Sequence, residues 1–384
     1  MVNYVKLGDI GEIFIGLTYK PENVSTEGMI VLRSSNIQDG ELDFNDTVRV
    51  NCPVRENLLV KPNDILMCSR NGSAKLVGKC TMLPRMSEPM TFGAFMTIIR
   101  TPYNSYLRYF FDSSAFRNQI KGSATTTINQ ITRKMLDEIE VPVFDVESQI
   151  RITTQFEKLS KLIAMRKEQL AKLDELVKAR FVEMFGDVVH NTKHWPVHRF
   201  SDITTSRLGK MLDSKCQTGE NSYPYLANFN VQWFRFNLEN LNRMDFTEKD
   251  RIEFELQDGD LLVCEGGEIG RCAVWHNEIQ PCYFQKALHR VRCDKEQILP
   301  YYLAWWFKFN CEYNGFAEIE GAKATIAHLP GAKLKVLPVV VPPLELQEKF
   351  TFFVEQTEKT KLTLQESLGR LEEMKKALMQ EYFG

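Results

Sequence analysis

Residues 149–186 contain no proline and no glycine before Gly186, and they are dense in Leu, Lys, Glu, Gln, Arg and Ala. That composition predicts one unbroken helix. Counted in heptads from Phe156, one core position holds Phe156, Ile163, Leu170, Val177 and Met184, and the other holds Leu159, Arg166, Leu173 and Arg180. In the same register residues 347–384 place Val354, Lys361, Leu368, Lys375 and Tyr382 at the first position and Thr357, Leu364, Leu371 and Leu378 at the second. Each stripe is broken by polar residues where the other is apolar, so neither helix should pair well with itself. The charges agree: 149–186 carries eight Lys/Arg against five Asp/Glu, whereas 347–384 carries six against seven. The expected seam sets Phe156, Leu159, Ile163, Leu170, Leu173 and Val177 against Val354, Leu364, Leu368, Leu371 and Leu378.

The two helical segments are also copies of one another. Adding 198 to each number from Gln149 to Gly186 lands on Gln347 to Gly384 without a gap, and 13 of the 38 positions are identical, among them Gln149/Gln347, Leu170/Leu368, Leu173/Leu371 and Phe185/Phe383. Weaker matches run through the rest of the chain. Leu7-Gly8-Asp9-Ile10 pairs with Phe200-Ser201-Asp202-Ile203, Asn36-Ile37-Gln38 with Asn230-Val231-Gln232, Asp64-Ile65-Leu66 with Asp260-Leu261-Leu262, and Gly78-Lys79-Cys80 with Gly270-Arg271-Cys272. A duplicated chain is therefore predicted. Its expected order is a globular domain at 1–148, a helix at 149–186, a second globular domain at 187–346 and a second helix at 347–384.

A helix of this length spans about 57 Å. If the two pack antiparallel, they act as a spacer with pseudo-twofold symmetry generated by one chain. The plainer alternative packs each helix along its own domain. The globular parts read as α+β, with strand-like runs at 28–32, 64–68, 96–100, 261–264 and 287–291 and short helices at 105–113 and 300–310. Tyr301, Tyr302, Trp305, Trp306 and Phe309 read as core, with a base-stacking platform as the alternative.

Composition narrows the class further. The 384 residues are 43 % apolar and 26 % charged, with 48 basic against 50 acidic side chains, an ordinary globular balance that speaks neither for nor against nucleic acid. The amino-terminal segment lacks a signal-peptide layout and no apolar run approaches membrane length, so a cytoplasmic protein without a membrane role is expected. Nine cysteines without a C-x-x-C pair argue against a disulfide framework or a cysteine-rich zinc site.

Taken in order, these features resemble the specificity (S) subunit of Type I restriction-modification systems. The residues that carry the likeness are the tandem order of globular domain and helix, Asp9-Ile10 and Asp202-Ile203, the run Gly-Asp-Leu-Leu-Val-Cys-Glu-Gly-Gly-Glu-Ile-Gly-Arg at 259–271, and the leads from Pro142 to Gln149 and from Pro342 to Gln347. The resemblance implies two target-recognition domains, each reading half of a split double-stranded DNA site. It implies paired helices that fix the separation and dock two methyltransferase subunits, with restriction subunits as further partners. It implies no cofactor in this chain: S-adenosylmethionine would belong to the methyltransferases, and ATP and magnesium to a nuclease subunit.

DNA contact needs Lys or Arg at phosphates and amide or guanidinium groups at base edges. In the first domain the candidates are Lys20, Arg33, Asn36, Arg70, Asn71, Lys75, Lys79, Thr125, Thr126, Thr127 and Asn129. In the second they are Lys210, Asn228, Asn230, Gln232, Arg235, Arg271, Lys323, Thr325 and His328. Catalytic motifs are missing: there is no phosphate-binding G-x-x-x-x-G-K-[ST], no H-E-x-x-H and no Asn-Pro-Pro-aromatic segment. Only Glu373-Met374-Lys375 and Asp213-Ser214-Lys215 offer nuclease-like triplets. His190, His194 and His198 recur every four residues, but Pro196 breaks that helix, which favours a linker over a metal site. A non-catalytic recognition subunit is the expectation. Its rivals are a self-sufficient DNA nuclease and a protein-interaction scaffold with no DNA role.

Overall fold

The computed structural model describes residues 3–38, 40–122, 130–212, 217–316 and 328–384. It divides into two compact units: residues 1–167 with 365–384, and residues 168–364. The four successive segments expected from the sequence are thus regrouped. Each unit takes part of both long helices into its own core.

The first unit is built on a four-stranded antiparallel sheet in the order Glu12–Ile15, Met96–Arg100, Ile65–Cys68, Cys80–Met82. A second sheet, in the order Met90–Phe92, Met29–Leu32, Val48–Val50, Val24–Ser25, contains one parallel pair, 90–92 with 29–32. Strand Asn3–Lys6 pairs antiparallel with Glu140–Val143 and closes the domain just before the first long helix. The second unit repeats this plan. Its main sheet runs Thr204–Leu208, Leu288–Cys293, Leu261–Cys264, Cys272–Val274; its smaller sheet again has one parallel pair, Ser222–Leu226 with Tyr283–Phe284; and Val197–Arg199 closes on Pro338–Val340. The α+β expectation holds, and the strand runs lie within two residues of their expected bounds.

Equivalent residues do equivalent work in the two copies. Asp64 accepts both Arg100 Nε and Nη2 at 2.7 Å, and Asp260 accepts Arg292 Nε at 2.7 Å. Both carboxylates are buried, so each pair locks a strand end to its neighbour. Gln149 donates to the Phe144 carbonyl at 2.7 Å and Gln347 to the Pro342 carbonyl at 2.8 Å, each five residues back, which ties the closing strand to the helix start.

The long helices span Val146–Phe185 and Leu344–Phe383, three residues earlier at the start than the repeat suggested. At the first, Asp145 caps the backbone of Ser148 at 2.8 Å. Its end is set by Gly186 at φ +75°, the left-handed conformation that favours glycine. Within each unit the helices pair antiparallel. In the first, Gln155 meets Tyr382 and Arg166 meets Ser367; in the second, Asp174 meets Lys361 and Phe181 meets Phe350. Every seam residue named above is buried or half-buried. At the ends the seam becomes domain core. Phe156 stacks on Tyr109 at 4.5 Å and lies 6.1 Å from Phe383, while Phe181 packs among Phe185, Tyr302, Trp305, Phe309 and Phe350. Tyr302, Trp305, Trp306 and Phe309 are buried as core, and Tyr301 stays half-exposed.

Phe156→Ala and Phe181→Ala should each cost about 3–5 kcal/mol, since each empties a fully buried aromatic site. Leu176→Ala, on the solvent face, should stay within about 0.5 kcal/mol. Urea titration followed by circular dichroism measures both.

Candidate nucleic-acid interface

The strand ends that carry Cys68 and Cys264 open into a cluster of loops built the same way in each unit. In the first, Ser69 N, Arg70 N and Ser69 Oγ all donate to the carbonyl of Phe95, at 2.9, 3.1 and 3.1 Å. Ile131 N donates to Ser69 O at 2.7 Å, Arg70 bridges to Gln130, and Asn71 Nδ2 reaches Ser34 Oγ at 3.3 Å. In the second, Glu265 N donates to Ala287 O at 3.0 Å, Leu329 N to Glu265 O at 2.7 Å, Gly266 bridges to His328, and Asn228 Nδ2 donates to Gly266 O at 2.8 Å. The backbone frame is shared and the side chains on it differ.

This frame sorts the expected contacts. Asn36 and Asn230 are withdrawn as DNA contacts because both are buried. Asn36 Oδ1 accepts from Arg33 N at 2.8 Å and its amide donates to Asp43 O at 2.9 Å; Asn230 accepts from Ala227 N and donates to Asn237 O, both at 2.9 Å. Each amide fastens a short turn and has no edge left for a base. Arg271 and Asn228 are also spent internally, with Arg271 Nη2 on Asn228 Oδ1 at 2.6 Å. Lys210 is ion-paired to Asp250 and largely covered. Although burial opposes it, hydrogen bonds from Lys210 and Thr247 hold the Asp250 carboxyl below its ordinary value.

The remaining candidates reach solvent. Lys20, Arg70, Lys75, Arg235 and His328 are exposed, and Arg33, Asn71, Lys79 and Gln232 are half-buried. Thr125, Thr126, Thr127, Asn129, Lys323 and Thr325 lie outside the described residues. Burial pushes the Cys68 thiol up and the Cys264 thiol to about 11, which marks both as inert fillers. Among the described residues no group of three or more side chains could hold a metal. The segment with His190 and His194 forms turns, with His190 Nδ1 2.7 Å from Asp187.

Two aromatic residues join the first cluster that the polar candidates did not include. Phe95, 57 % exposed, and Tyr19 line a cavity of about 640 Å³ together with Leu17, Arg33, Ser34 and Asp46. The Arg70 guanidinium lies 5.5 Å over the Phe95 ring, and Arg33 pairs with Asp46 at 2.8 Å. The close backbone approach next to the cavity needs glycine. A Cβ on Gly16 would sit 2.2 Å from the Gly93 carbonyl, just as one on Gly209 would sit 2.4 Å from that of Gln285. The available sequence signal was an aromatic residue in the Gly93-Ala94-Phe95 turn between two apolar strands.

The fold defines a class: a duplicated chain of two α+β units that share a pair of long helices. The same architecture occurs in the crystal structure of a Type I restriction-modification S subunit from M. genitalium, with TM-score 0.60, 13 % identity, and coverage of 100 % of this chain and 96 % of that one. A chain from a structure of assembly and conformational transition in a type I R-M system gives TM-score 0.59 at 16 % identity, covering 100 % and 97 %. Residues 192–375 match the family model described as Type I restriction modification DNA specificity domain. The Type I restriction enzyme EcoKI specificity subunit of Escherichia coli K12 is 26 % identical over 367 residues, and the StySPI specificity subunit of Salmonella potsdam 23 % over 367, each covering 89 % of this chain and 78 % of the relative. By these likenesses the chain is similar to Type I restriction-modification specificity subunits, which are recognition components and not catalytic ones.

Asn36→Ala and Asn230→Ala should each destabilise the protein by about 1–3 kcal/mol, because buried backbone groups lose their partners. Arg70→Ala, on the surface, should leave thermal unfolding nearly unchanged. Calorimetry on the three variants separates the two kinds of residue.

Proposed function

We propose that the chain reads a two-part site in double-stranded DNA, one half per unit, and delivers two methyltransferase subunits to it. The observation that carries this reading is the loop cluster built twice on one hydrogen-bond frame but furnished differently: Arg70, Asn71 and Phe95 in one copy, Gly266, His328 and Ala287 in the other. A duplicated scaffold with unlike loops suits two different half-sequences. The paired helices then set the separation of the half-sites, each approximately related to the other by the chain's internal duplication. Leu176 and Met374 hold the same repeat position, are 49 % and 55 % exposed, and offer matching apolar contacts to two copies of one partner.

Phosphate attraction comes from local cations, since formal charge is −2. S-adenosylmethionine enters with the methyltransferases, and ATP and magnesium with restriction subunits where these assemble. Among the described residues no helix is long and apolar enough to cross a membrane, and the reading places the protein with the DNA in the cytoplasm.

The test combines the purified chain with its methyltransferase and sequences the products for methylated adenine. Methylation should appear at a gapped motif and vanish when the chain is omitted; methylation that is indifferent to the chain overturns the reading. Arg70→Ala should weaken binding about tenfold at one half-site, consistent with losing about 1–3 kcal/mol of base or phosphate contact. Replacing Leu170 and Leu173 with Asp should weaken binding to the full site more than to an isolated half-site. Equal losses would argue against a spacer.

A further inference from the structure

We propose that the cavity beneath Phe95 receives one nucleobase displaced from the duplex, in the half-site read by the first unit. The inference rests on the DNA-reading function above and adds a subsite to it. Direct readout of stacked bases uses elements that project into a groove. A concavity of about 640 Å³ does the reverse: it admits only something that comes to it, and it is large enough for a base with its sugar.

The walls suit that occupant. Tyr19 and Phe95 supply flat apolar surfaces for stacking. Arg33 and Asp46, side by side at 2.8 Å, supply a donor and an acceptor for a base edge. Arg70 makes no ion pair among the described residues; its cation stands 5.5 Å over the ring of Phe95, a lining residue, and is free to meet the phosphate of a displaced nucleotide. Phe95 is also held in place. Three hydrogen bonds converge on its carbonyl, so its ring is presented to solvent by a fixed backbone and not by a loose loop tip. An exposed phenyl ring on a rigid mount forgoes apolar burial, which stacking would recover.

The second unit lacks these features at the matching places. Ala287 takes the position of Phe95, Gly266 that of Arg70, and Lys210 beside the shared glycine is tied to Asp250. Base displacement into this cavity is therefore confined to one half-site.

A mismatch scan tests it. The full chain with its methyltransferase is titrated against duplexes of the methylated motif in which the partner strand is altered one position at a time, across both half-sites. Where bases are read in the stack, a mismatch weakens binding. At the pair that opens into the cavity it should tighten binding about tenfold, because the cost of unpairing has already been met. That gain should disappear in Tyr19→Ala/Phe95→Ala, and in Phe95→Leu, which keeps an apolar side chain but removes the flat ring and guards against a folding defect.

Tightening that persists in both variants marks a base opened by the methyltransferase and overturns the proposal. So does a scan in which every mismatch weakens binding. Failure to bind any gapped motif would defeat the DNA-reading function itself, which is a distinct result.

Discussion

Neither long helix can be satisfied by its own sequence, and the rest of the molecule is arranged around that need. Apolar positions on one are met by the other, and where the seam enters a globular unit the aromatic residues of the helices become part of its core. Phe383 packs against Phe110 and Phe156 in the first unit, and Phe185 against Tyr302 and Phe350 in the second. A contact between residues 156 and 383 closes a very long loop, but closure entropy grows only about 0.6 kcal/mol per doubling of length. Burying one aromatic ring outweighs several doublings. The cost of remote pairing is small, and the gain is that neither unit has a complete core without the helix that follows the other.

The polar interruptions of the seam decide how the helices pair. Lys361, 15 % exposed, pairs with Asp174 at 2.5 Å on the facing helix and with Glu358 at 2.7 Å on its own. Arg166 donates to Ser367 at 3.2 Å. A slip by one turn would take Asp174 from the largely covered Lys361 ammonium and leave it only Glu358 on its own helix, which costs more than losing an exposed ion pair such as Lys167–Glu372 at 4.0 Å. The breaks that weaken each stripe alone therefore select the antiparallel register.

The repeat, the helices and most strands were legible because they depend on periodicity, and periodicity is local. The site was legible only in part, for a physical reason. A polar residue in a turn can serve the turn or serve a ligand, and one sequence does not separate the two uses. Asn36 and Asn230 stood out because they matched between the halves, yet matching is what a shared turn requires. Arg271 was read as a phosphate donor, but its guanidinium is spent on Asn228. Phe95 escaped notice because an exposed aromatic ring and a core ring are written with the same letter, and only the carbonyl that anchors it reveals which it is.

This separation also explains how the molecule can hold its fold while changing what it recognises. Asp64 with Arg100, Asp260 with Arg292, and the two asparagine turns are buried, bonded and duplicated, so a change there falls on stability in both units' common plan. Residues 70 and 95 in one unit, and 266 and 287 in the other, sit on the same backbone hydrogen bonds, which do not depend on side-chain identity. Substitution at those places leaves the frame intact and alters only the side chains that the frame presents. A scaffold whose polar interior is fixed and whose loop frame is held by main-chain atoms lets recognition vary at little cost to folding, and duplication lets each half vary independently of the other.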